Sequence, residues 1–121
     1  MSSKRKPLVW LAKTRKTVRE FPDHARQLTG FALDTAQLGS KHPRAKPLQG
    51  FGGAAVLEIV ADDDGDTYRA VYTVELEGRV YVLHAFQKKS KRGIKTSKQD
   101  IDLIRQRLKE ARAVHRELSK E

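Results

Sequence analysis

Three extended runs follow one another between Val56 and Lys88 with almost no chain between them, and this constrains the fold more than any other feature. The first, Val56-Leu57-Glu58-Ile59-Val60-Ala61, is rich in the β-branched residues that favour strands. It is closed by Asp62-Asp63-Asp64-Gly65-Asp66, whose Asp and Gly tolerate turn geometry. Thr67 to Leu76 and Arg79 to Lys88 come next, joined by Glu77-Gly78, a tight hairpin signal. Strands linked so briefly can only pair antiparallel with their neighbours. With Glu77-Gly78 as a two-residue loop, Leu76 faces Arg79, Val74 faces Tyr81, Tyr72 faces Leu83, Ala70 faces Ala85 and Arg69 faces Phe86. Parity then predicts one apolar face of Ala70, Tyr72, Val74, Tyr81, Leu83 and Ala85, suited to cover by helices. The opposite face carries Arg69, Val71, Thr73, Val82, His84, Phe86 and Lys88.

The flanks read as helices. Thr14 to Phe21 is one; Pro22 to Leu38 is a second, with Pro22 suited to its first turn and Ala25, Leu28, Ala32 and Ala36 at helical spacing before Gly39. Gly39 to Gly53 holds two prolines and four glycines and reads as a loop with a short extended piece. Thr96-Ser97 to Leu118 places Ile101, Ile104, Leu108, Ala111 and Leu118 on one face, an amphipathic helix capped by Thr96 or Ser97. Leu8 to Leu11 is a candidate extra edge strand. The sequence therefore predicts an α+β fold, with two N-terminal helices on a small antiparallel sheet and a C-terminal helix, in a single domain over residues 1–121.

Charge is placed unevenly. The net charge is +10, yet Ala54 to Gly78 is acidic, with Arg69 its one base. Lys4 to Arg19 holds Lys13 and Lys16 among seven cations and no acid; Lys88 to Lys98 holds Lys88, Lys89, Lys91, Arg92, Lys95 and Lys98, again with none. Such blocks attract polyanions, nucleic acid first; the plainer reading is a solvated lysine surface. The absence of Cys removes disulfides, thiolate metal sites and cysteine nucleophiles. No segment approaches the length of a membrane span, and Pro7 to Ala12 is too short for a secretory core, so a cytoplasmic protein is expected. His24, His42, His84 and His115 are too scattered for a metal pair, and the acidic turn lacks the ligand alternation of a calcium loop; no cofactor or metal is expected.

On the predicted second face Arg69, His84 and Lys88 converge, and they suit a phosphodiester. Metal-free RNA cleavage needs a base for the ribose 2′-hydroxyl, charge on the phosphate and an acid for the departing 5′-oxygen. Arginine offers a fork for phosphate oxygens, lysine a point charge, and histidine a proton carrier near neutrality. Each has a duller role too: Arg69 as an ion-pair partner of Glu58 or Glu75, His84 bonded to backbone, and Lys88 and Lys89 as solvated strand-end lysines.

Tyr68-Arg69-Ala70-Val71-Tyr72, Val80-Tyr81-Val82-Leu83-His84-Ala85-Phe86-Gln87-Lys88-Lys89 and the loop Lys46-Pro47-Leu48-Gln49-Gly50 together resemble the RelE/ParE superfamily of bacterial toxins, in particular its phage-derived HigB-like branch. The resemblance covers nearly the whole chain. It implies a twisted antiparallel sheet, a helix-turn-helix antitoxin (HigA-like) as partner and, in RelE-like and HigB-like members, cleavage of messenger RNA on the ribosome. By position, Arg69 matches the arginine that contacts the scissile phosphate, Lys89 stands where RelE-type toxins carry a second arginine with Lys88 beside it, Lys46 matches a basic loop residue and His84 fits the "LH.F" pattern. No tyrosine follows the basic cluster, so the acid and base roles stay open among His84, Lys88 and Lys89. The expected function is thus a toxin acting as a ribosome-dependent endoribonuclease. Arg69, His84, Lys88 and Lys89 would act on the message, and Lys13, Lys16, Lys46, Lys91, Arg92, Lys95 and Lys98 would grip RNA. The alternatives are a non-enzymatic gyrase inhibitor of the ParE kind and a plain RNA-binding module.

Overall fold

The computed structural model describes residues 5–88 and 95–120. In chain order these form β1 (Leu8–Trp10), α1 (Thr14–Arg19), α2 (Asp23–Gln37), β2 (Ala45–Pro47), β3 (Val56–Asp63), β4 (Asp66–Thr73), β5 (Val80–Lys88) and α3 (Lys98–Leu118). The five strands make one sheet in the order β1-β5-β4-β3-β2. The α+β class and both helical flanks are as expected. The candidate edge strand is real, but it joins β5 in parallel, so the sheet is mixed.

Helices cover both faces of the sheet. On one, Val18, Phe21, Ala25, Ala32, Leu33 and Ala36 of the α1–α2 region pack on Leu57, Ile59, Ala61, Ala70, Tyr72, Val82 and Ala85. On the other, Ile104, Leu108 and Ala111 of α3 pack on Val56, Val71, Tyr81 and Leu83. The 104-108-111 spacing is the apolar stripe that makes α3 amphipathic, and burying it is what docks the helix. Ser97 caps it by accepting from the Asp100 N–H, so Ser97, not Thr96, is the N-cap. At the far end the Tyr81 hydroxyl lies 2.8 Å from His115 Nδ1.

Three hairpin expectations need correction. The β3–β4 turn is tighter than the five-residue acidic stretch, because Asp63 pairs with Asp66 and Asp64 and Gly65 both take positive φ (52° and 87°), the combination that matches strand twist. The β4–β5 connection is looser: the strands stop at Thr73 and start at Val80, so residues 74–79, not Glu77-Gly78 alone, form the loop. The register also changes midway. Thr67↔Lys88, Arg69↔Phe86, Ala70↔Ala85 and Val71↔His84 follow the expected pairing, but Tyr72 faces Val82 and Thr73 faces Tyr81. Leu83 is therefore the extra residue of a β-bulge, and a bulge breaks strict alternation. Leu83 packs in the α3 core while His84 bonds to α3, so two successive side chains turn to one side. As a result Tyr81 and Leu83 lie under α3 rather than with Tyr72, and Val82 lies under α1 and α2. The Arg107 guanidinium of α3 donates to the Leu83 carbonyl at 3.1 Å, tying the bulged residue to the helix above it.

Candidate active site

Cross-strand rows place the candidate residues. One row runs Lys46, Glu58, Val71, His84 from β2 to β5; the next pairs Val60, Arg69 and Phe86. Arg69 and His84 are thus diagonal neighbours on the α3 side, where such neighbours lie about 7–8 Å apart. Phe86 bridges them, opposite Arg69 and stacked on the His84 ring at 4.6 Å between centroids.

Arg69 is buried, at 5% exposed. Its Nη1 lies 3.5 Å from Glu58 Oε1 and 3.5 Å from Thr96 Oγ1, and its Nε 3.5 Å from Thr67 Oγ1. The Thr96 hydroxyl donates to Glu58 Oε2 at 2.6 Å. The ion-pair role with Glu58 is therefore present, while Glu75 is taken by Arg112 in a two-pronged pair at 2.6 and 3.0 Å. Burial does not seal Arg69 off. It lines a cavity of about 380 Å³ with Pro47, Leu48, Glu58, Lys95 and Thr96.

His84 is held from three directions. Its Nε2 lies 2.9 Å from Asp100 Oδ1, Phe86 covers a ring face, and the bulge fixes its backbone. Asp100 is the third residue of α3; besides its N–H bond to Ser97, its Oδ2 accepts from the Ser97 hydroxyl at 2.8 Å, a reciprocal cap. Burial pushes the Asp100 carboxyl up, but hydrogen bonds from His84 and Ser97 and the charges of His84 and Lys88 outweigh it and hold it below the usual carboxylate range. His84 opens on a second cavity of about 140 Å³, lined also by Lys13, Thr14, Thr17 and Arg107.

The expected residues accordingly sort into groups. Arg69, His84 and Lys88 share a face, with Lys88 at the end of β5 opposite Thr67. Lys95 borders the Arg69 cavity and Lys13 the His84 cavity. Lys46 stands on the edge strand opposite Glu58. Lys16 and Lys98 lie outward, beside Glu20 and Asp102. Lys89, Lys91 and Arg92 fall outside the described residues. Sequence reasoning missed Thr96, Asp100 and Arg107 as neighbours of the site. The Ser97-x-x-Asp100 spacing signals a cap, yet nothing local says that the carboxylate meets a histidine. Among the described residues no group of three His, Cys, Asp or Glu side chains is arranged to hold a metal ion, and no helix is long and apolar enough to cross a membrane.

The sequence matches the family described as "Phage derived protein Gp49-like" over residues 16–109. The chain belongs to this family. The Gp49-like match begins within α1 and ends within α3, so it takes in Glu58, Arg69, His84 and Asp100. Among solved structures, the fold is similar to a mutant of the Escherichia coli toxin RelE in the free state, at 19% identity and a TM-score of 0.49, covering 67% of this chain and 81% of that one. It is also similar to a chain of the RelBE2 toxin-antitoxin complex from Mycobacterium tuberculosis, at 17% identity and a TM-score of 0.42, covering 74% of this chain and 98% of that one. No curated protein matches the sequence.

Proposed function

We propose that the protein is the toxin of a type II toxin-antitoxin system, of the HigB-like branch, and that it cleaves messenger RNA on the ribosome without a metal. The observation that carries this reading is the diagonal placement of Arg69 and His84 on one sheet face, with cations of β5, α1 and the approach to α3 around them. In the proposed reaction Arg69 takes the scissile phosphate in competition with Glu58, and Lys88 and Lys89 add positive charge. The 2′-oxygen bonds to phosphorus as the bond to the 5′-oxygen breaks; Glu58 accepts the 2′-hydroxyl proton and His84 delivers one to the 5′-oxygen. Lys13, Lys16, Lys46, Lys91, Arg92, Lys95 and Lys98 are the proposed RNA-gripping cations. A helix-turn-helix antitoxin is the proposed partner and the cytoplasm the proposed compartment.

Induction of the chain in bacteria tests the reading. Translation should stop and new 5′ ends should appear inside open reading frames, and His84→Gln should abolish both. Filamentation and DNA damage with intact messages would refute it and favour inhibition of gyrase in the ParE manner.

A further inference from the structure

The two ring nitrogens of His84 are in different situations. Nε2 is engaged by the Asp100 carboxylate at 2.9 Å. Nδ1 has no hydrogen-bond partner among the described residues, and since no fully buried side-chain nitrogen or oxygen there lacks one, Nδ1 keeps some contact with solvent. An ionised carboxylate can only accept, so the proton between Asp100 and His84 sits on Nε2, and the neutral ring is left with Nδ1 as acceptor. Asp100 is itself doubly fastened. It is the third residue of α3, with its N–H on the Ser97 hydroxyl and its second carboxylate oxygen receiving that hydroxyl's proton. The helix behind it is anchored by Ile104 and Leu108. On the sheet side, Phe86 stacks on the imidazole and Arg107 ties down the Leu83 carbonyl next to it. Charged groups from the remaining elements are Lys88, which acts on Asp100, and Lys13 and Arg107 around the cavity that His84 lines.

We propose that Asp100 is a positioning residue for His84: it fixes the ring with its proton on Nε2 and so makes Nδ1 the nitrogen that exchanges a proton with the RNA. This deepens the nuclease reading and rests on it. In the step above, Nδ1 of the protonated ring gives its proton to the departing 5′-oxygen, and the neutral ring that remains is the Nε2–H form that Asp100 already holds.

The pair of variants Asp100→Asn and Ser97→Ala in the full-length chain separates positioning from helix capping. Nitrogen-15 chemical shifts of the His84 ring above neutral pH report the tautomer directly. We expect the Nε2–H form in the wild type and a shift toward the Nδ1–H form in Asp100→Asn, because the amide can present an N–H to Nε2. Single-turnover cleavage of ribosome-bound message should fall about 10- to 100-fold in Asp100→Asn at saturating ribosomes, less than the full 10²–10⁴ that an acid or base contributes, with apparent affinity within about threefold. Ser97→Ala weakens the cap and removes one hold on the carboxylate but leaves its bond to His84, so it should keep the wild-type tautomer and cut less well than the wild type but better than Asp100→Asn. An unchanged tautomer in Asp100→Asn, cleavage by Asp100→Asn equal to the wild type, or an equal loss in Ser97→Ala would overturn the role of Asp100 while leaving the nuclease reading intact. A wild-type chain that cuts no message would overturn both.

Discussion

Replacing Arg69 is the obvious way to silence the proposed site, and the structure indicates that the replacement will also loosen the fold. Arg69 and Glu58 pair at 3.5 Å with side chains 7% and 11% exposed. Breaking a fully buried pair from one side costs about 3–5 kcal/mol, because the remaining charge is stranded. Here the stranded carboxylate would keep the Thr96 hydroxyl at 2.6 Å and borders a cavity open to water, so Arg69→Met should cost about 2–3 kcal/mol. Adding Glu58→Gln removes the orphaned charge and should bring the double variant to within about 1 kcal/mol of the wild type, less costly than Arg69→Met alone. Since small domains have only about 5–15 kcal/mol in all, the single variant is markedly weakened and the double is not. Urea unfolding of the four proteins measures this, with the fluorescence of Trp10, the sole tryptophan, which sits on β1 against β5, as the probe. A loss below about 0.5 kcal/mol in Arg69→Met, or a double variant as unstable as the single one, would refute this account of the pair. The consequence for function is practical: harmlessness of Arg69→Met in cells would not distinguish lost chemistry from lost protein, whereas harmlessness of the double variant would.

Two further outcomes are expected. Gly30 lies inside α2 with ordinary helical backbone and nothing within 4 Å of where a Cβ would stand, so Gly30→Ala should raise stability by about 0.5–1 kcal/mol, read as a higher thermal midpoint. The second concerns pH. Asp100, held down by His84 and Ser97 against its burial, and Glu75, held down by Arg112, have folded pKa values below their unfolded ones. Their contribution is complete above the ordinary carboxylate range and is lost as pH falls through and below it. The buried Tyr72 phenol, pushed from 10.0 to about 12, works in the other direction, its contribution being lost as pH rises between those values. Denaturation across the pH range should show both limbs, with the acid limb shallower in Glu75→Gln and the alkaline limb shallower in Tyr72→Phe.

What could be read from the chain was local. The α3 cap follows from Ser97 and Asp100 three residues apart, and the stripe Ile104, Leu108, Ala111 announces a docked helix. The first five rungs of the β4–β5 ladder, including Arg69 opposite Phe86, also come out of simple pairing. Pairing failed at Leu83, because alternation assumes one residue per rung. What stabilises the extra residue is Arg107, which reaches in from an element 24 positions away in sequence. The same distance problem hid Asp100. Its approach to His84 depends on how α3 lies across the sheet, and that is set by packing rather than by any pattern in the first turn. Glu58 was visible as a lone acid in an apolar strand and as an ion-pair partner for Arg69; the cavity that both line was not.

Both rims of the sheet are stubs: β1 and β2 have three residues each, and the last residue of β2 is Pro47, which has no N–H to offer. A growing fibril needs a longer exposed ladder to template on than either of these terminal strands offers. In a strongly cationic chain, terminal strands cut this short leave another copy little ladder at β1 or β2 to extend.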